Sequence, residues 1–219
     1  MATPVDEPLV RWEWLASHGD ELTDRAAEHL GIAGLSFVIG TAVAALLTVV
    51  IRRWRWTTAP ITTVTTTLYT IPSVALFAAL IPVFGVGRTV PVIALSTYSL
   101  VVLTPFLVAA FDQIDPAVID AADAMGMTRS QRFLRVDIPV AAPAIVAGLR
   151  VTIVTIIGLV TVGGLFGLGG FGDFIDQGLT RDFPTLIVVG VTGSVALALV
   201  ADALLVVIGR AAAPWTGSS

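Results

Sequence analysis

The chain has 219 residues, 56% of them hydrophobic and only 13% charged, with a mean hydropathy of +0.92 and a net charge of −4. Soluble domains carry about 25% charged residues, so this composition excludes an ordinary water-soluble domain and points to a chain whose main solvent is lipid. There is no cysteine, which rules out disulfides and thiolate metal sites, and every basic residue is arginine.

Residues 1–29 carry seven acids (Asp6, Glu7, Glu13, Asp20, Glu21, Asp24, Glu28) against Arg11 and Arg25. With no basic start, a secretory signal is not expected here; the segment reads as an external acidic arm. His18 and His29, the only imidazoles, both lie in it, and no metal site is expected. Uncharged runs then cover residues 30–51, 56–87, 89–111, 151–172 and 183–201. An apolar helix needs roughly 20 residues to cross a bilayer, so each run is expected to span once. The fold class is an all-α membrane protein with five transmembrane helices, a membrane domain at 30–210 and a tail at 211–219.

Arginine sets the orientation. Arg52, Arg53, Arg55, Arg129, Arg132, Arg135 and Arg210 follow spans 1, 3 and 5, whereas the other side holds Arg11, Arg25, Arg88 and Arg181. Loops rich in arginine stay in the cytoplasm, which predicts an external N-terminus and a cytoplasmic C-terminus. Trp12, Trp14, Trp54, Trp56 and Trp215 all flank runs, as interfacial anchors do.

Within the second run, eight threonines stand between Thr57 and Thr70, just before Pro72. Threonine in a span can bond the backbone of its own preceding turn, and that reading is preferred to a polar face lining a pathway. The third run leads into the polar segment 112–139. Asp115-Pro116 is a helix start, because the carboxylate caps free N–H groups and proline suits the first helical position. Gly126 is expected to end that helix in a left-handed conformation. Thr128-Arg129-Ser130-Gln131 has the capping-box pattern for a second helix running to about Asp137, where Pro139 stops it or opens the next span. Val118, Ala122 and Met125 fall on one face of the first helix, a docking surface seeking a groove. Arg129, Arg132 and Arg135 are placed to meet anionic headgroups.

Further along, Arg150 and Asp202 are the charges expected to be immersed in the membrane, and they are expected to pair as a clamp between spans 4 and 5. The string Gly167-Leu168-Gly169-Gly170-Phe171-Gly172 matches G-x-G-x-x-G, but that dinucleotide fingerprint requires a preceding strand, and here it closes an apolar run. Gly163 and Gly167 form a G-x-x-x-G pair suited to helix contact, so this region reads as a helix exit with close packing. The absence of lysine excludes the P-loop, whose lysine reaches the nucleotide phosphates. Neither a catalytic site nor a cofactor is therefore expected in this chain.

The segment Asp120-Ala121-Ala122, then Gly126, then Val136-Asp137-Ile138-Pro139 resembles the "EAA" loop of ABC importer permeases, which reads E-A-A, three residues, G, nine residues, I-x-L-P. Gly126 and Pro139 fall in register; Asp120, Val136 and Ile138 are conservative departures, and Asp120 reaches one methylene less than Glu. The stretches "IPSVALFAALIPVFGVG", "IDPAVIDAADAMGM" and "GLGGFGD" look like permeases for osmoprotectants such as glycine betaine, choline or carnitine.

The resemblance implies a bacterial inner-membrane permease whose first short helix is a coupling helix seated in a cytoplasmic ATPase subunit, which holds ATP and Mg. Val118, Asp120, Ala121, Ala122, Met125, Gly126 and Pro139 would form the coupling loop. The resemblance also implies a second permease subunit, an external solute-binding protein and an outer gate beside Gly163, Gly167, Gly169 and Gly170; membrane lipids are expected partners and nucleic acid is not. Quaternary ammonium is commonly held by aromatic faces, for which Tyr69, Tyr98, Phe77, Phe106, Phe166 and Phe171 are candidates. Two rivals remain: a permease for methionine or another amino acid, and a membrane scaffold that uses the polar segment only to recruit a partner.

Overall fold

The computed structural model describes residues 8–212; Asp6, Glu7, Trp215 and the tail from 213 onward lie outside them. The described residues form helices and turns with no strand among them. A short helix, α1 (Trp12–Ser17), precedes α2 (Gly19–Arg53), whose first turn carries Asp20 and Glu21 and whose last carries Arg52 and Arg53. Those charges complement the helix dipole at both ends. The acidic residues from Gly19 to His29 are thus the opening turns of the first long helix, so the expected arm boundary at residue 29 has no counterpart in the backbone.

A 3₁₀ turn (Arg55–Thr57) leads to α3 (Thr58–Thr70) and α4 (Ser73–Phe84). The second apolar run is therefore not one straight span: α3 and α4 are bent by 91° at their break. Pro72 has no N–H and holds the preceding residue extended, as the Ile71 φ/ψ of −71°/119° records. Next come α5 (Thr89–Asp112), α6 (Pro116–Ala124) and α7 (Arg129–Arg132). A π turn (Phe133–Asp137) then joins α7 to α8 (Ile138–Gly164), and α9 (Gly172–Thr180) and α10 (Pro184–Ala212) complete the order.

Four of these helical stretches are long and apolar enough to cross a membrane: Gly19–Arg53, Thr89–Asp112, Arg129–Gly164 and Pro184–Ala211; the bent pair makes a fifth only if counted as one. The fourth span differs from the sequence reading. The charge-free run predicts a fourth span over 151–172, yet the helix begins before that run and ends at Gly164. Gly167, Gly169 and Gly170 have φ of +65°, +98° and +75°, and that left-handed backbone cannot continue a right-handed helix. The second short helix runs through the π turn that ends at Asp137, and of the two roles expected for Pro139 it takes the second: it opens α8, where its missing N–H is tolerated in the first turn.

The chain divides into two compact units. One comprises Met1–Ser36, Pro72–Leu95 and Thr155–Leu199. One of its core clusters is Phe171, Phe174, Leu186 and Val189, against which Trp14, Leu15, Leu22, Ala26, Phe183 and Leu197 pack. Trp14, half-buried, meets Phe174 and Phe183 edge-on with centroids 6.0 and 6.1 Å away, so it packs against this core as well as flanking the apolar run. The other unit comprises Phe37–Ile71, Ser96–Val154 and Val200–Ser219. Ala44, Leu103 and Leu107 form one of its clusters; Ala110, Ile114 and Ala141 form another, with Phe111 and Ile119 packed on it. Trp54 and Trp56 are exposed, as are Val195, Leu199, Leu204 and Val207 along α10.

Candidate functional site

The polar segment is built by its caps. The Asp115 carboxylate accepts the Ala117 N–H at 2.8 Å with Pro116 in the first turn. At the other end Gly126, at φ +75°, turns the chain so that the Met127 N–H reaches back to the Ala122 carbonyl at 3.3 Å. Such a left-handed exit suits glycine, which has no Cβ to clash. The capping box of α7 is complete: Thr128 Oγ1 accepts the Gln131 N–H at 3.3 Å, and Gln131 Oε1 accepts the Thr128 N–H at 2.9 Å.

The faces of α6 differ from the sequence reading. Ala122 is only 1% exposed and so is not part of an outward face. It shares a side with Ile119, three residues before it, which packs on the Ala110–Ile114–Ala141 cluster. Among the apolar residues left outward, Val118 (37% exposed), Ala121 and Met125 (67% exposed) stand at spacing i, i+3, i+7. Asp120 is exposed beside them and Pro139 is half-buried.

Sequence reasoning missed a charge network behind this helix. Arg132 does not point away toward headgroups; its Nη1 donates to both Asp123 oxygens at 2.9 and 2.7 Å. Its Nε lies 3.7 Å from Oδ1 of Asp137, whose Oδ2 accepts from Arg52 Nη2 at 3.3 Å. Arg52 also sits over the Phe111 ring at 4.3 Å, and Phe111 stacks on Phe133 at 5.9 Å. Asp137 is 3% exposed, and a carboxylate so buried requires this pairing. Only its place between the motif's valine and proline hinted at it. Nearby, Arg55 donates to Asp112 at 2.9 and 3.3 Å.

The glycine-rich loop is held by α2. The Gly170 N–H donates to Glu28 Oε2 at 2.9 Å and the Phe171 N–H to His29 Nδ1 at 3.2 Å. The Gly169 N–H donates to Asp173 Oδ1 at 3.2 Å, and Arg25 Nη1 bridges Asp173 (2.7 Å) and Glu28 (3.1 Å). Burial pushes the Asp173 carboxyl above its ordinary range, against the opposing pull of Arg25 and the Gly169 N–H. His29 is fully buried, and its Nε2 faces the Ile157 carbonyl at 3.0 Å. One ring nitrogen thus accepts from a backbone N–H while the other donates, a satisfied core imidazole in its Nε2–H tautomer.

The expected Gly163–Gly167 helix contact is not formed, because Gly167 lies beyond the end of α8. The close approach is between Gly164 and Gly172: a Cβ on Gly164 would stand 2.2 Å from the carbonyl carbon of Gly172. The G-x-G-x-x-G string comes after a helix, not a strand, and so lacks the dinucleotide-binding context.

Arg150 and Asp202 form a two-pronged pair, Nε to Oδ1 at 2.7 Å and Nη2 to Oδ2 at 2.8 Å. Thr65, Thr67 and Thr70 bond carbonyls three or four residues back. Thr58, Thr62 and Thr65 also line a groove of about 410 Å³ with Thr104, Pro105 and Asp112. Among the aromatic candidates, the Tyr98 hydroxyl donates to the Ile71 carbonyl. Phe77 and Phe166 face each other at 6.2 Å, and Phe171 lies against His29 at 5.7 Å.

A family model described as binding-protein-dependent transport system inner membrane component matches residues 35–214. The choline transport system permease protein OpuBB of Bacillus subtilis (strain 168) is 31% identical over 202 residues, covering 92% of this chain and 93% of that protein. The osmoprotectant import permease protein OsmW of Salmonella typhimurium is 31% identical over 197 residues, covering 88% and 92%. Among solved structures, an inward-facing form of the MetNI methionine ABC transporter superposes with a TM-score of 0.73 at 23% identity, covering 97% of this chain and 99% of that one. An amino acid ABC transporter with histidines superposes at 0.77 and 17% identity, covering 92% and 98%. At these identities the two structures speak for the fold alone.

Proposed function

We propose that this chain, which belongs to the family of binding-protein-dependent transport system inner membrane components, is the path by which an ABC importer takes up an osmoprotectant such as glycine betaine, choline or carnitine. Family membership makes it a multi-pass inner-membrane permease subunit, distinct from the ATPase and from the solute-binding protein. The choice of cargo rests on its relatives, which are named for choline and for osmoprotectants.

In this reading the bent α3–α4 pair counts as one pass, so five passes leave the N-terminus outside and the arginine-rich ends in the cytoplasm. A second permease subunit, identical or homologous, completes the path, because one five-span bundle is too small to enclose it. The observation that carries the mechanism is the outward Val118–Ala121–Met125 stripe on a helix capped at Asp115 and ended at Gly126. Such a rigid, apolar, helical plug suits a groove on a cytoplasmic ATPase. ATP-driven closure of two ATPases would push α6, and with it α8, to alternate the access of the path. Arg150–Asp202 serves as a clamp, and Gly163, Gly167, Gly169 and Gly170 pack or gate its outer end. Gly167→Val with transport intact would remove the gating role.

The test is ATP hydrolysis by the complex with its native ATPase in nanodiscs, wild type against Gly126→Pro, since proline cannot adopt the φ of +75° found there. Stimulation by solute-loaded binding protein in the wild type alone supports the reading. If no ATPase co-purifies, or the variant is stimulated equally, a recruiting scaffold is the better description. An amino-acid permease is the second reading, favoured by the likeness of fold to amino-acid importers; ligand binding to the purified solute-binding protein separates the two cargoes.

A further inference from the structure

We infer that Asp137 is a positioning residue that ties the docking helix α6 to the end of α2, so that a push on α6 reaches the first long helix as well as α8. The inference rests on the permease reading above. The route is continuous: Asp123 on α6 holds Arg132 through two hydrogen bonds, Arg132 faces Asp137, and Asp137 holds Arg52 in the last turn of α2. Asp123 and Arg132 lie nine residues apart, whereas Arg52 and Asp137 lie 85 apart; the second link is therefore a tertiary contact that local helix geometry does not require.

A separate observation supports a dedicated joint. Asp137 is the last residue of the π turn Phe133–Asp137. A π turn adds a residue to a helical turn, which rotates the next stretch of helix by about 100° relative to an unbroken one. The register that aims the Asp137 carboxylate at Arg52 and Arg132 thus depends on an irregular turn that ends at Asp137 itself. The same turn begins with Phe133, stacked on Phe111, over which Arg52 lies. Charge and ring contacts therefore converge on Arg52 from both ends of one turn. A carboxylate 3% exposed, hydrogen-bonded to Arg52 and 3.7 Å from Arg132, is costly to leave unpaired, so the contact resists separation of the elements that carry it.

The experiment uses the whole complex in nanodiscs with ATPase and solute-binding protein, and reads solute transported per ATP hydrolysed, ATPase co-purification and melting temperature. Asp137→Asn should lower transport per ATP at least about fivefold, a loss of about 1 kcal/mol of coupling, while the ATPase still co-purifies and the melting temperature holds. Asp137→Glu should restore it, and Asp112→Asn, which breaks the Arg55 pair and removes only a longer-range attraction on Arg52, should lower it far less than Asp137→Asn. Because the chain has no cysteine, paired spin labels at Ala117→Cys and Arg53→Cys report α6 against α2 directly. Their distance should stay fixed through the nucleotide cycle in the wild type and change between states in Asp137→Asn. If Asp137→Asn folds poorly, Arg52→Gln repeats the test from the half-exposed partner.

An unchanged ratio in Asp137→Asn, a loss that merely tracks melting temperature, an equal loss in Asp112→Asn, or label distances alike in both proteins overturns the joint. A wild type in which solute-loaded binding protein drives no hydrolysis overturns the permease reading and the joint together, whereas a coupled wild type with a coupled Asp137→Asn overturns the joint alone.

Discussion

Replacing His29 by leucine tests how the glycine loop is held. The imidazole is fully buried; its Nδ1 is the acceptor for the Phe171 N–H, and its Nε2 donates to the Ile157 carbonyl. Leucine keeps the volume and removes both bonds. The Ile157 carbonyl retains the Thr161 hydroxyl at 3.4 Å, but the Phe171 N–H is left as a buried donor without an acceptor. Such a donor costs about 1–3 kcal/mol, which corresponds to a roughly 5- to 150-fold larger open population of the loop. Amide exchange of residues 169–173 in nanodiscs should accelerate by that factor in His29→Leu. His29→Asn offers an amide oxygen in the place of Nδ1 and should exchange close to the wild-type rate. Equal rates in wild type and His29→Leu, or equal acceleration in the leucine and asparagine variants, would refute the claim that this hydrogen bond closes the loop.

Gly170→Ala places a Cβ 3.0 Å from His29 Nδ1 at a φ of +75°; the left-handed penalty alone is about 1–2 kcal/mol, so the same exchange assay should show roughly tenfold faster opening. Asp115→Ala removes the cap on the Ala117 N–H and should cost α6 about 1 kcal/mol, seen as faster exchange or proteolysis of 116–124, whereas Asp115→Asn should retain most of the protection. Reversing either member of the Arg150–Asp202 pair should lower the yield of folded protein, and reversing both should restore it; yields that stay low in the double variant would sink the clamp.

What the sequence could show was set by distance along the chain. The caps at Asp115 and Thr128 and the stop at Gly126 act within four residues of themselves, so their backbone geometry was readable from residue type alone. The apolar runs located the membrane helices because transfer to lipid is a property of composition. Boundaries were harder. Charge could not mark where α8 starts, since the paired Arg150 is tolerated inside it, and the charge-free run continued past the point where Gly164 and the left-handed glycines end it. The bend at Ile71–Pro72 was hidden for a related reason, because proline permits a break without dictating its angle.

The sequence by itself therefore determined a helical, lipid-embedded chain with a capped polar segment, because each of those properties sums over neighbouring residues. Only the tertiary structure decided which way each helix faces. It turned Ala122 inward and left Ala121 out, assigned His29 to a backbone N–H 142 residues away, and joined Arg52 to Asp137 across 85 residues. Those choices depend on which surfaces meet when the helices pack, and no residue carries that information in its own type or spacing.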